Sequence, residues 1–202
     1  MGIDRQVAIA ASLIALALIP PVAAWLESGL VSHLFGQYPL LLGGGALIGS
    51  AAARRHPCGW SAAPALLAGL LALAFWLIPR WIDAALADTA ANTAKVISLV
   101  LLAGLPLGWG WQQAGGVLRG FVWANVASML AVMGWLQLSV PSRLCNSYLQ
   151  SEQAVYGRLL VAAALLMVVG AGAMALLGFR MGQKPKDGQG PAPPKHRLDR
   201  QG

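Results

Sequence analysis

Charged residues are scarce in this chain, at 10% of its 202 residues, whereas 57% are hydrophobic. Soluble domains carry about a quarter charged residues, so this composition excludes an ordinary soluble domain. Disordered proteins combine low hydrophobicity with dense charge, and the chain as a whole has neither feature. Its two cysteines are too few for a disulfide framework or a four-cysteine zinc site. The class that remains is a polytopic membrane protein.

Short motifs that mark common catalytic sites are also missing. The sequence has no Walker loop, no GxSxG, no HExxH and no CxxC. None of its long apolar runs contains Asp, Glu, Lys or Arg, although a proton-coupled transporter normally carries such a residue near the middle of the bilayer. These absences favour a protein that is not an enzyme.

Long apolar runs are abundant, and a run of about 20 residues forms a helix that crosses the ~30 Å hydrocarbon layer. The predicted spans are Val7–Leu26, Leu34–Ala53, Ala62–Pro79, Val96–Trp111, Phe121–Val140 and Leu159–Phe179. No run alternates apolar and polar residues as a barrel strand does, and backbone groups in lipid then require helices. The predicted fold is all-α: a polytopic membrane bundle of six transmembrane helices over residues 1–182. Residues 183–202 are polar and rich in Pro and Gly, which predicts a disordered basic tail.

Basic residues are divided unevenly between the two sides of this six-span arrangement. Ten lie on the side of the termini: Arg5, Arg54, Arg55, Arg119, Arg180, Lys184, Lys186, Lys195, Arg197 and Arg200. Four lie on the other side: Arg80, Lys95, Arg143 and Arg158. The positive-inside rule then predicts a multi-pass protein of the cell inner membrane with both termini in the cytoplasm. This sidedness accounts for the net charge of +7, so we expect the lipid bilayer, and no nucleic acid, as a partner.

The N-terminus has a second interpretation. Arg5, the apolar stretch after it and the small residues 22–24 are also compatible with a cleaved signal peptide. An uncleaved first span is favoured because five more spans follow it.

The most informative polar segment joins the first two spans at the predicted outer face. It contains Glu27, His33 and Gln37, followed by Pro39. His33 and Gln37 are four residues apart, so they share one face of a helix that starts near residue 28. Pro39 would lie inside that helix and free a backbone carbonyl. A carboxylate, an imidazole and an amide can hold a metal or relay a proton, and the alternative is an imidazole that is simply hydrogen-bonded at the membrane interface.

Cys145 is predicted on the same outer side as His33. Thiolate and neutral imidazole suit a soft ion such as Cu(I), so the sequence predicts His33 and Cys145 as metal ligands, with Glu27, Gln37 and Tyr148 around them. Two ligands form an exchange site at most, so copper is expected to bind weakly and transiently, or not at all. The alternative is that Cys145 is a small buried hydrophobe.

Two segments resemble the CtaG family of cytochrome c oxidase assembly proteins, which is found with caa-type oxidases. The first has a His near the start of an apolar helix, then a Gln and a Pro-Leu pair: His33, Gln37, Pro39 and Leu40. The second, residues 143–157, is similar to the family's late loop, with a tyrosine, an acidic-Gln pair and a glycine. Together they cover about 30 residues of the chain.

The chain departs from that family in two respects. Leu34 stands where a Met often follows the His, and the predicted spans and outer histidines are fewer than the family usually has. The resemblance implies an inner-membrane assembly or accessory factor for a haem–copper (cytochrome c) oxidase that handles copper at the periplasmic face, with oxidase subunits as partners.

Two other functions stay open: a small transporter or channel, and a structural subunit of a membrane complex. An outer cluster of His33, Cys145 and Tyr148 would favour the assembly factor. A polar cavity across the bilayer would favour the transporter, and a long exposed apolar groove would favour the structural subunit.

Two further patterns concern the fourth and fifth spans. The residues Asn125, Met129, Met133 and Gln137 recur at steps of four and could pass Cu(I) along the fifth helix. Helix packing through the small residues Gly120, Ala124, Ser128 and Ala131 is the favoured alternative. Lys95, at the start of the fourth span, is expected to extend to the interface, on a solvated face with Asp88 and Asn92.

Overall fold

The computed structural model describes residues 2–55, 61–140 and 148–182, and every regular element within them is helical. The α-helices are α1 Ile3–Leu18, α2 Pro20–Glu27, α3 Leu30–Ser32, α4 Tyr38–Arg55, α5 Ala62–Trp76, α6 Pro79–Ala87, α7 Thr89–Ile97, α8 Leu105–Gln113, α9 Gly116–Ser139 and α10 Gln150–Gly182. Two π-helical segments, His33–Gln37 (π1) and Ser98–Gly104 (π2), join α3 to α4 and α7 to α8. The all-helical class is confirmed for these residues, and the predicted tail, residues 183–202, lies outside them.

Several helices are long and apolar enough to cross a membrane. In the described ranges these are Thr89–Gln113, Gly116–Ser139 and Ser151–Ala175. The pairs α1–α2 and α5–α6 pass the same test together, but each pair is bent by 67°. The described residues therefore supply three spans, or five if each bent pair is one span, and the predicted number of six is not confirmed. The second predicted span, Leu34–Ala53, lies in the helical run from Leu30 to Arg55, which is not among these five.

Prolines account for both bends. Pro20 and Pro79 each begin a helix, where the missing N–H costs nothing, but neither residue can continue the helix before it. Helix α1 therefore ends at Leu18 and α5 ends at Trp76. The first predicted span is therefore a longer helix followed by a short one that turns away, instead of one straight helix. In the third, the bend falls at Pro79, where the predicted span ends and α6 begins.

Each π-helical segment ends two residues before a proline, Pro39 or Pro106. A proline ring clashes with the carbonyl four residues earlier in an α-helix, and a wider π-turn moves that carbonyl away. Accordingly, the backbone N–H of Tyr38 donates to the carbonyl of His33, five residues back. The prediction that Pro39 lies inside a helix is confirmed.

Helix α4 is central, since it packs on α1, α8 and π2. Gly45 and Gly49 on α4 face Gly104 and Gly108 on the π2–α8 run. A Cβ atom at Gly49 would overlap the carbonyl oxygen of Leu105, so the two backbones are in direct contact. Pairs of small residues four apart permit this close approach of membrane helices.

Helices α9 and α10 form an antiparallel pair whose backbones approach closely at Gly134 and Gly157. A Cβ at Gly134 would lie 2.8 Å from the Gly157 carbonyl oxygen. The face predicted to pack (Gly120, Ala124, Ser128 and Ala131) is exposed instead, and a Cβ at Gly120 would meet nothing within 4 Å. That packing prediction is wrong, because the close contact forms nearer the other end of α9.

Candidate functional site

Four parts of the chain bring polar side chains together in one buried site. Glu27 ends α2, π1 carries His33 and Gln37, α7 carries Asn92 and Lys95, and Tyr148 precedes α10. We call these six residues the lysine cluster. Lys95 and His33 are each 0% exposed and Gln37 is 1% exposed. An ionisable group buried this deeply in an apolar protein must find its partners inside the fold.

Lys95 has an acceptor for each hydrogen of its ammonium group. Its Nζ lies 2.9 Å from Gln37 Oε1, 3.0 Å from His33 Nε2 and 3.5 Å from Glu27 Oε1. The Glu27 carboxylate, whose side chain is 20% exposed, compensates the charge. The ammonium group is thus both neutralised and fully hydrogen-bonded, which is the condition for a tolerable buried charge.

The neighbours of His33 define which ring nitrogen carries the proton. Because the ammonium of Lys95 can only donate, His33 Nε2 accepts and Nδ1 holds the hydrogen. Nδ1 then donates to the hydroxyl oxygen of Tyr148 at 2.8 Å, and that hydroxyl donates to the backbone carbonyl of Glu27 at 3.1 Å. This network assigns a neutral imidazole with a fixed tautomer and orientation.

The carboxylate of Glu27 collects donors from two helices. Gln37 Nε2 donates to Glu27 Oε1 at 2.9 Å, which orients the amide so that its oxygen faces Lys95. Asn92 Nδ2 lies 3.4 Å from the same carboxylate oxygen. The acid therefore links the end of α2 to π1 and α7, and it is one component of a network instead of half of an isolated pair.

The beginning of α10 attaches to the helix that carries His33. Glu152 Oε2 accepts a hydrogen bond from the backbone N–H of Leu30 at 3.4 Å, at the N-terminus of α3, where an anion is favourable. The rings of Phe35 and Tyr156 pack edge to face with centroids 5.7 Å apart. With the hydrogen bond from His33 to Tyr148, these contacts dock the C-terminal helix pair on the cluster.

Four of the residues predicted for the site come together: Glu27, His33, Gln37 and Tyr148. Cys145 lies outside the described residues, so its pairing with His33 stays a prediction. Within the described ranges, no group of three or more His, Cys, Asp or Glu side chains is placed to hold a metal ion. Because both ring nitrogens of His33 are already bonded to protein groups, copper would have to displace Lys95 or Tyr148 to reach them.

Lys95 is the residue that sequence reasoning misplaced. It was expected at the membrane interface, on a solvated face with Asn92, but its side chain is 0% exposed and points into the cluster. One signal could have identified it: Lys95 is a cation beside an apolar run, and Glu27 and His33 are predicted at the same membrane face. Pairing across the helix bundle explains why these three polar residues lie beside apolar spans.

The hydrogen-bond chain from Lys95 through His33 and Tyr148 reaches the Glu27 carbonyl oxygen. Its chemical effect is to fix positions: it holds one imidazole, one phenol and one ion pair between helices from both ends of the sequence.

Comparison with protein-family models, with curated proteins and with solved structures gave no match for this chain.

Proposed function

We propose that this chain is a multi-pass inner-membrane protein that acts as an assembly or accessory factor for a haem–copper oxidase, and that it is not itself an enzyme. In this proposal six spans cross the membrane, some of them bent, and both termini are cytoplasmic. The lysine cluster then lies at the periplasmic side, where the oxidase subunits would be contacted.

One observation supports this function above the others. The two segments that resemble the oxidase-assembly family are far apart in the sequence, yet they meet in the fold. His33 Nδ1 lies 2.8 Å from the Tyr148 hydroxyl, and Phe35 packs on Tyr156. A resemblance confined to two contacting segments is what a shared functional site would leave in an otherwise divergent chain.

The copper part of the proposal is a transient exchange site. His33 would bind the ion after its Nε2 is released from Lys95, and Cys145 would supply the thiolate. Binding would therefore leave Lys95 without one of its three acceptors, which would keep the affinity low and favour transfer of the ion to a partner.

The experiment replaces cluster residues in the organism that encodes this chain and measures its oxidase. His33→Ala and Tyr148→Phe should each lower cytochrome c oxidase activity and haem a absorbance in membranes by about tenfold when both are expressed per amount of this protein, which an immunoblot of the membranes measures. Ser32→Ala is the matched control, because among the described residues the Ser32 hydroxyl donates to the Gly29 carbonyl and not to the lysine cluster. Normal oxidase in both cluster variants at limiting copper would contradict the proposal.

A small transporter is the second candidate, because ionisable residues buried between membrane helices often mark transport pathways. The buried pair of Lys95 and Glu27 is the observation that favours it. Purified protein in liposomes loaded with a pH-sensitive dye distinguishes the two functions. A proton flux that Lys95→Met abolishes would favour transport, and the absence of flux would favour the assembly factor.

A further inference from the structure

An open groove runs along an exposed side of the α9–α10 pair and encloses about 910 Å³. Small and aliphatic residues form most of it, among them Gly120, Ala124, Ala131 and Leu165. The groove follows α9 from Gly116 to Ala131, which is about 22 Å at 1.5 Å per residue. That length exceeds the depth of one leaflet, about 15 Å or half of the hydrocarbon layer.

One end of the groove carries an exposed cation. Arg119 lines the groove there, and its Nε and Nη2 donate to the backbone carbonyl of Trp111 at 3.2 and 2.9 Å. Its guanidinium carbon also lies 5.6 Å from the centre of the Trp111 ring. These contacts orient the guanidinium but use only part of its five donors. Trp123 lines the same end, and tryptophan is typical of the headgroup level of a membrane.

We infer that this groove binds an anionic phospholipid, with the phosphate on Arg119 and one acyl chain along the α9–α10 cleft. A phosphate satisfies the remaining guanidinium donors, whereas a packed apolar helix would bury them without an acceptor. Ser128 is the one polar side chain farther along the lining, so the cleft offers little of the cross-helix hydrogen bonding that holds membrane helices together. This inference does not depend on the proposed oxidase function.

The test is native mass spectrometry of the full chain, purified in detergent and incubated with equal amounts of phosphatidylglycerol and phosphatidylcholine. The wild-type protein should retain phosphatidylglycerol about fivefold better, the factor that corresponds to ~1 kcal/mol for one basic residue at an anionic surface. Arg119→Gln should remove this preference. Arg54→Gln is the matched control, because Arg54 is also an exposed arginine but does not line the groove, and it should keep the preference.

A second pair of variants tests the cleft itself. Gly120→Leu places a side chain in the groove without a clash, since a Cβ there meets nothing within 4 Å, and it should reduce retention of both lipids at least fivefold. Gly172→Leu, at an equally open glycine that does not line the groove, should not. Equal retention of the two lipids by the wild type, or equal losses for Arg119→Gln and Arg54→Gln, would overturn the inference. A lipid-free dimer that Gly120→Leu dissociates would overturn it as well, in favour of a second copy of this chain.

Discussion

Replacing Lys95 by methionine tests whether the lysine cluster is a true buried ion pair that stabilises the fold. Methionine has a similar length and removes only the charge and the three hydrogen-bond donors. The change leaves His33 Nε2 and Gln37 Oε1 without a donor, in side chains that are 0% and 1% exposed. It also leaves the Glu27 carboxylate without its cation.

The expected loss is large for a single substitution. Each buried polar atom that loses its partner costs about 1–3 kcal/mol, and breaking a buried ion pair by removing one member costs about 3–5 kcal/mol. The two penalties arise from the same contacts, so they do not add. We expect Lys95→Met to lower the free energy of unfolding by about 3–5 kcal/mol.

A double-mutant cycle separates the pairing from general damage. Glu27→Gln alone leaves Lys95 as an uncompensated buried cation, so it is also expected to destabilise the protein. The double variant removes both charges, so its loss should be smaller than the sum of the single losses by about 0.5–3 kcal/mol.

The assay is unfolding by SDS in mixed micelles, followed by the fluorescence of the eight tryptophans. Arg55→Gln is the control, because Arg55 pairs with Asp4 at 3.7 Å on the surface, where both side chains are exposed, and no measurable change is expected. Strictly additive losses in the cycle, or a loss for Lys95→Met no larger than for Arg55→Gln, would refute the reasoning.

Three more predictions concern other parts of the molecule. Tyr148→Phe removes the hydroxyl between the imidazole and a backbone carbonyl, and should cost about 1–3 kcal/mol in the same titration; an unchanged midpoint would contradict the assigned hydrogen bonds. Gly108→Ala should prevent α4 and α8 from packing, because its Cβ would overlap the Ala46 backbone. In size-exclusion chromatography Gly116→Ala, whose Cβ meets nothing within 4 Å, should give a monodisperse peak, whereas Gly108→Ala should not. Equal elution profiles of the two variants would contradict the close contact. Reporter fusions at residues 2 and 202 should both report the cytoplasm, and export of the C-terminal fusion would exclude the six-span arrangement.

Local sequence rules were sufficient for part of the site. The spacing of His33 and Gln37 predicts a shared helix face, and the two residues do face one cluster. Pro39 inside the helix follows from the same reasoning, although the π-turn before it does not. Glu27 was correctly placed near them because only a short linker separates it from His33. All of these relations span fewer than 15 residues of sequence.

Relations across the bundle could not be derived in this way. Lys95 lies 62 residues from His33 in the sequence, and a hydropathy profile treats it only as the boundary of a span. Its partners depend on how α4 packs against π2, the segment that continues α7, and that packing rests on glycine contacts with no charge pattern of their own. The small-residue face of α9 was misassigned for the same reason, since composition identifies a face that can pack but not the helix that will cover it.

The bends and the cluster have a common cause. The chain turns by 67° between α1 and α2, and α2 then contacts α3 and π1 and ends at Glu27. A straight first helix of the length that hydropathy predicts would have carried Glu27 away from the bundle. The second bend sends α6 against α7, and α6 buries Ile82 and Ala85 in the core. Helix α7 carries Lys95. Pro20, which breaks the first predicted span, therefore brings the acid to the cluster, and Pro79, at the end of the third, supports the helix of the base. The two prolines that bend the chain thus also build the ion pair.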